Sequence, residues 1–198
     1  MALLVKQIML EKEMYFKRII FLIIIFTCFT NNISASIKDN ILNKLRNIEN
    51  ISFNFEQNIN GKMENGNCTI EYPKKIYCKY DLGNQKILVS NGKSLVIKTR
   101  TSYYRYPLKK TALNLILDKN FLINKIYDLE ERIVDNSLIN FTIKEGDNEI
   151  NIFFDKQTYD LVGWQNTDIY QNFNITFLSS IRKNRVLSKN LFKIPIQN

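Results

Sequence analysis

The chain contains no histidine. That removes the commonest general base, the commonest metal ligand and every Ser/His or Cys/His nucleophile pair. A proton-transfer group would have to be Asp, Glu, Lys or Tyr. The acidic pair Glu130-Glu131 lies in the charged run Asp128-Leu129-Glu130-Glu131-Arg132, the pattern of a solvated strand edge. Asp118, Asp155 and Asp160 stand beside turn signals, where carboxylates cap backbone amides. Three well-separated cysteines make neither a Cys-rich zinc site nor a disulfide framework. No phosphate-cradling glycine loop, dinucleotide fingerprint or nucleophile elbow is present. The expectation is a non-enzyme with no metal and no cofactor.

The aromatic and basic cluster Lys98 to Tyr106, with Arg100, Tyr103, Tyr104 and Arg105, resembles a single-strand nucleic-acid platform in isolation. Alternating aromatics on a barrel strand more often supply core on one face and an amphipathic rim on the other. We therefore expect no nucleic-acid partner. The sequons at Asn50, Asn67, Asn140 and Asn174 are accidents expected of an Asn-rich chain.

The elements that must carry any site come from 198 residues, 45% hydrophobic and 24% charged. These fractions are globular, and the length allows one domain with at most an appendage. The appendage is N-terminal. Lys17-Arg18 precedes the apolar run Ile19 to Phe29, then polar Asn31-Asn32 and the small residues Ser34-Ala35-Ser36. That is the grammar of a cleaved signal peptide over residues 1–35. Eleven helical residues reach about 16 Å, half a hydrocarbon core, which argues against a membrane anchor. Ile25-Phe26-Thr27 before Cys28 is not the Leu-small-small pattern of a lipid-modified cysteine. Glu11 and Glu13 are out of place in a basic leader, and a start at Met14 would give a compact one. Removing the leader takes the net charge from +9 to +7, a balance suited to anionic membranes or acidic partners.

Residues 36–198 read as one domain. A capping box at Ser36 to Asp39 opens a helix with Ile37, Ile41, Leu42, Leu45 and Ile48 at helical spacing. From Ile51 the period becomes two, with Phe53, Phe55, Gln57 and Ile59 on one face. Gly61 and Gly66 bracket a polar turn. Two hairpins follow, one through Pro73-Lys74-Lys75 and one through Asn91-Gly92, which suits a type I′ turn. Pro107 to Tyr127 predicts two short helices, the second capped by Asn120. Strands resume near Ile133, 138–143, 150–154, 161–164 and 174–177, with Gly146-Asp147 as a turn. The apolar tail 191–195 is expected to dock. About ten antiparallel strands must curl, and the mid-chain helices would fill the concave face.

The ordered set Phe53-Asn-Phe55-Glu-Gln57, Gly61, Gly66, Cys68-Thr-Ile70, Pro73-Lys-Lys-Ile76-Tyr-Cys78-Lys-Tyr80 and Ile87 to Gly92 resembles the outer-membrane lipoprotein carrier family, LolA. Tyr106 to Leu117 is similar to that family's segment leading into its lid helices, and Phe192-Lys-Ile-Pro195 to its C-terminal end. The likeness spans residues 37–196. It implies a mainly β fold with a few helices: a half-open, strongly curved antiparallel β-barrel covered by a helical lid. It also implies a periplasmic carrier of lipoprotein acyl chains, supplied by an inner-membrane ABC-type release complex. An outer-membrane acceptor is left open as a partner, contact with anionic membrane is transient, and the chain is expected to be a monomer. The family usually has an arginine directly before the motif proline, bonding the lid; here Tyr72 stands there with one hydroxyl. The alternatives are a periplasmic binder of another amphiphile, or a structural β-domain with a self-filled core.

The expected acyl-chain site is Phe53, Phe55, Ile70, Ile76, Cys78 and Val89 from the sheet, with Leu113, Ile116 and Leu117 from the lid. A turn centred on Pro73-Lys74 sets Cys68 opposite Cys78 on the Ile70/Ile76 face. Directly opposed Cβ atoms, about 4.5–5.5 Å apart, are wider than a disulfide favours, so two small apolar thiols are expected, with a disulfide as the alternative.

Overall fold

The computed structural model describes residues 17–18, 36–81, 84–146, 148–167 and 172–197. The expected cleavage region, Met14 and Cys28 lie outside them, as does Asp147 of the expected Gly146-Asp147 turn. Lys17 and Arg18 are helical and lie in the unit Met1–Ala35; the sheet, the helices described below and the cavity belong to Ser36–Asn198.

Helix α1 (Ile37–Arg46) starts where Ser36 Oγ accepts the Asp39 N–H at 3.1 Å and Asp39 answers on the Ser36 N–H, completing the capping box. Its Ile41, Leu42 and Leu45 are fully buried. Then come β1 (Asn50–Ile59), β2 (Lys62–Glu71), β3 (Lys75–Tyr80), β4 (Ile87–Asn91), β5 (Ser94–Lys98) and β6 (Tyr103–Pro107). A 3₁₀ turn (Leu108–Lys110), α2 (Leu113–Ile116) and α3 (Lys119–Asp128) follow, and then β7 (Arg132–Val134), β8 (Leu138–Glu145), β9 (Asn148–Asp155), β10 (Leu161–Thr167) and β11 (Phe173–Lys183). All pairings are antiparallel, in one open curved sheet ordered β6-β5-β4-β3-β2-β1-β11-β10-β9-β8-β7. The Tyr103-Tyr104-Arg105-Tyr106 cluster forms β6, the barrel strand expected of it, and the sheet has eleven strands.

That order has one consequence for any site. β6 and β7 are the two sheet edges yet consecutive in the chain, so the helical segment 108–131 runs from one edge to the other. α3 lies antiparallel to α1: Lys119 Nζ donates to the Arg46 and Ile48 carbonyls at 3.1 and 2.7 Å, and Lys38 Nζ to Tyr127 O at 3.3 Å. The Lys119 contacts satisfy carbonyls left open at the end of α1, where positive charge is favoured. Leu122 and Ile126 of α3 join Ile41, Leu42, Leu45, Ile70, Phe141 and Phe154 in one core cluster. Burying side chains of this size contributes about 1.5–3 kcal/mol each before entropy is subtracted.

Local details differ from expectation for readable reasons. The β1–β2 connection is the two-residue Asn60-Gly61, both at positive φ (48° and 87°), so residues 62–67 are strand rather than polar turn. This is the dipeptide turn expected at Asn91-Gly92. There the register instead closes around Gly92-Lys93, and only Gly92 (φ 93°) is positive, which excludes type I′. Asn91 Oδ1 accepts the N–H groups of Lys93 and Ser94. The cap of α3 is Asp118, whose side chain accepts the Phe121 N–H at 3.1 Å; Asn120 is exposed. Asp155 does accept turn amides, from Gln157 and Thr158. Asp160 instead binds Lys44 and Lys183, tying α1 to β11. β11 extends beyond Phe177 through a bulge opposite Ser52–Asn54, with Ser180 at φ 53°. Glu130 and Glu131 are exposed, but they lie in the connection between α3 and β7 rather than on a strand edge.

Candidate binding cavity

The concave face is read directly from the register. Phe53 and Phe55 pair with Cys68 and Gly66, those with Cys78 and Tyr80, and Cys78 with Leu88. Helices α1 and α3 fill the part of this face around Ile51, Ile70 and Phe141. The remainder, under 111–113, is empty. The cavity volume is about 180 Å³, and the space opens to solvent at its mouth. Its body is Phe55, Ile76, Leu88, Leu95, Ile97 and Trp164, closed over by Ala112 and Leu113.

Four of the expected residues line it, Phe55, Ile76, Cys78 and Leu113, and so does Cys68, which was expected only to face Cys78. Phe53 and Ile70 share the face but are covered. Phe53 packs edge-on against Trp164 at 6.2 Å, and Ile70 lies in the core beneath the helices. Ile116 and Leu117 are fully buried in that core rather than lining the space. Val89 does not line the cavity. It pairs with Tyr77 and Val96, one residue out of step with Cys78 and Leu88, and therefore points to the convex face. The C-terminal tail docks on that side of the sheet, as expected. Tyr103 OH and Lys98 Nζ donate to the carbonyls of Pro195 and Ile196, and Lys75 lies over the Phe192 ring at 5.8 Å.

Gly66 shapes the wall. A Cβ there would meet the Phe55 ring at 2.8 Å and the Lys79 carbonyl closer still. Its absence lets Phe55 lie across the strand, edge-on to Tyr80 at 5.0 Å. Cys68 and Cys78 are directly opposed and form a disulfide, against the two-thiol expectation. Their Cα atoms are 4.1 Å apart, the spacing of a narrow antiparallel pair, which brings the side chains closer than the average used to disfavour the bond.

Tyr72 does not hold the cover by a hydrogen bond. Its hydroxyl is buried without a partner among the described residues, and burial raises its pKa. The next residues make that joint instead. The Lys74 N–H donates to Leu117 O at 2.8 Å, and Lys74 Nζ pairs with Asp118 at 3.1 Å.

One end of the cavity is polar, which residue reading missed. Gln57 Nε2 donates to Asn174 Oδ1 (3.0 Å) and Thr176 Oγ1 (3.1 Å), and Tyr80 OH donates to Gln57 Oε1 at 3.4 Å. Asn166 adds a buried amide, and Lys86 reaches the wall over the Tyr80 ring at 4.0 Å while paired with Glu64. The available signal was Gln57, a polar residue in the apolar register of β1. Among the described residues no cluster could hold a metal ion, and no helix is long and apolar enough to cross a membrane.

Solved structures similar to this chain include a LolA superfamily protein from Nitrosomonas europaea (10% identity, 81% of this chain and 99% of that one, TM-score 0.41). A putative outer membrane lipoprotein-sorting protein domain from Vibrio parahaemolyticus is 8% identical over 77% of this chain and 94% of its own, with TM-score 0.46. The lipoprotein LppX of Mycobacterium tuberculosis is 10% identical over 75% and 94%, with TM-score 0.40. No curated protein matches. Residues 46–195, which hold every strand and the whole cavity, match the family described as outer membrane lipoprotein carrier protein LolA, and the chain belongs to that family.

Proposed function

We propose that the protein, freed of its leader, is a periplasmic carrier. It takes lipoproteins from an inner-membrane ABC-type release complex and shields their acyl chains on the way to the outer membrane. The observation that carries this is the apolar cavity left between the sheet and a segment joining its two edges. Each methylene buried there contributes about 0.8 kcal/mol, so a partly enclosed chain is held without a covalent or ionic anchor. The basic balance of the chain favours collision with anionic membrane and is weakened by salt. The chemistry required is binding and release, and the protein is no enzyme.

Phe55→Glu sets a charge on the cavity wall and tests this directly. Inner-membrane vesicles loaded with a radiolabelled lipoprotein are incubated with wild type or variant, and soluble label is counted. Wild type is expected to release label and the variant to lose at least about tenfold, the cost of one unpaired buried charge. A variant that folds normally and still collects lipoprotein overturns the cavity assignment. Wild type that neither releases lipoprotein nor binds any amphiphile overturns the carrier function.

A further inference from the structure

The groups at the polar end of the cavity satisfy one another only in part: Gln57 and Thr176 are bonded within the cluster, while Asn166 and Asn174 keep unused capacity. Thr176 and Asn166 are 3% and 8% exposed. The Asn166 amide gives one N–H to Thr167 O, while its Oδ1 has no partner among the described residues. Asn174 Oδ1 accepts from Gln57 and Thr176, but its two N–H groups donate to no described residue. Partly used amides inside an otherwise apolar space are costly unless something else completes them.

Among the described residues, charge at this end is already neutralised. Lys86 is the cation among the lining residues, and it is held by Glu64 and by the Tyr80 ring. An anionic head group would have to compete with Glu64 for that ammonium. A neutral head group with carbonyl and hydroxyl functions meets no such competitor. It would accept from Asn174 and donate to Asn166 Oδ1.

We propose that Gln57, Asn166, Asn174 and Thr176 form a head-group subsite for the uncharged glycerol ester region of a diacylglyceryl ligand, with the acyl chains running into the Phe55–Trp164 body. This rests on the carrier reading and narrows its ligand: the site distinguishes neutral esters from phosphorylated lipids and from bare hydrocarbon.

The test uses displacement of the neutral apolar dye N-phenyl-1-naphthylamine by dioctanoylglycerol and by dioctanoylphosphatidate. Wild type is expected to bind the dye and to prefer dioctanoylglycerol over the phosphatidate. Asn174→Leu and Asn166→Leu are each expected to weaken dioctanoylglycerol roughly three- to tenfold, the loss of one net hydrogen bond, with dye binding retained. Asn166→Ala gives the same comparison if Asn166→Leu does not fold. Unchanged displacement in the dye-binding variants, or a preference for phosphatidate, overturns the subsite. Wild type that binds no dye and no lipid overturns the cavity's ligand-binding role itself, a different failure.

Discussion

Lys74 grips the start of α3 from two directions: its ammonium lies 3.1 Å from Asp118 Oδ2, and its N–H donates to the adjacent Leu117 carbonyl at 2.8 Å. Its own carbonyl accepts from Ser90 Oγ at 2.9 Å, which fixes the loop to β4. The β2–β3 turn is thereby fastened to the segment covering the cavity, without help from the Tyr72 hydroxyl.

Lys74→Ala is expected to speed opening of this joint with little loss of stability. The pair is about a third exposed, so the direct cost is below about 1 kcal/mol. Hydrogen exchange of the α3 amides is expected to rise severalfold while the melting temperature moves by a few degrees at most. Asp118→Ala also removes the helix cap, adding about 1 kcal/mol. If α3 exchange is unchanged in Lys74→Ala, the joint does not hold the cover.

The Cys68–Cys78 bond crosses the cavity wall between neighbouring strands. Alkylation of unreduced protein is expected to leave both residues unmodified, and reduction to expose both. Because the closed loop is short, the loss of stability is expected near the low end of the usual range, about 2 kcal/mol. Two alkylated thiols in unreduced protein would contradict the bond.

What the sequence made legible followed from period and pairing. The alternation through Phe53, Phe55 and Gln57, and the Pro73-centred hairpin that opposes Cys68 to Cys78, place one face of three strands without coordinates. Val89 falls on the opposite face because the register passing from β3 to β4 is set by the connection between them, which carries no periodic signal of its own. Ile116 and Leu117 have the right character for a cover. Whether such residues face a cavity or a core depends on where α1 and α3 pack, a tertiary matter. The polar subsite draws on β1, β10 and β11, and strands more than a hundred residues apart become neighbours only when the sheet order is known. The disulfide turned on a difference of about an ångström between wide and narrow strand pairs, which residue types do not encode.

Glu64 makes acid stability informative. Burial pushes its carboxyl up, but the hydrogen bonds and charges of Lys86 and Lys62 outweigh that and leave it below its ordinary value. A depressed folded pKa stabilises the fold above the unfolded pKa, and the contribution is lost as pH falls through the folded value. Asp155, lowered chiefly by the Thr158 N–H, acts with the same sign. Wild type is therefore expected to lose stability as pH drops below about 5, the onset of carboxylate protonation in the unfolded chain. Glu64→Gln is expected to be less stable at neutral pH and to have a flatter acid limb in denaturant titrations. An acid limb as steep as wild type would contradict the Glu64 linkage.

The central claim is that the cavity carries acylated protein. Native mass spectrometry of the protein, purified without detergent from the envelope of its own cells, tests it most directly. The expected result is a population heavier than the bare chain by one lipoprotein, lost on adding detergent and absent in Phe55→Glu. Protein that is uniformly bare, and that also takes up no lipoprotein when incubated with loaded inner-membrane vesicles, would contradict the claim.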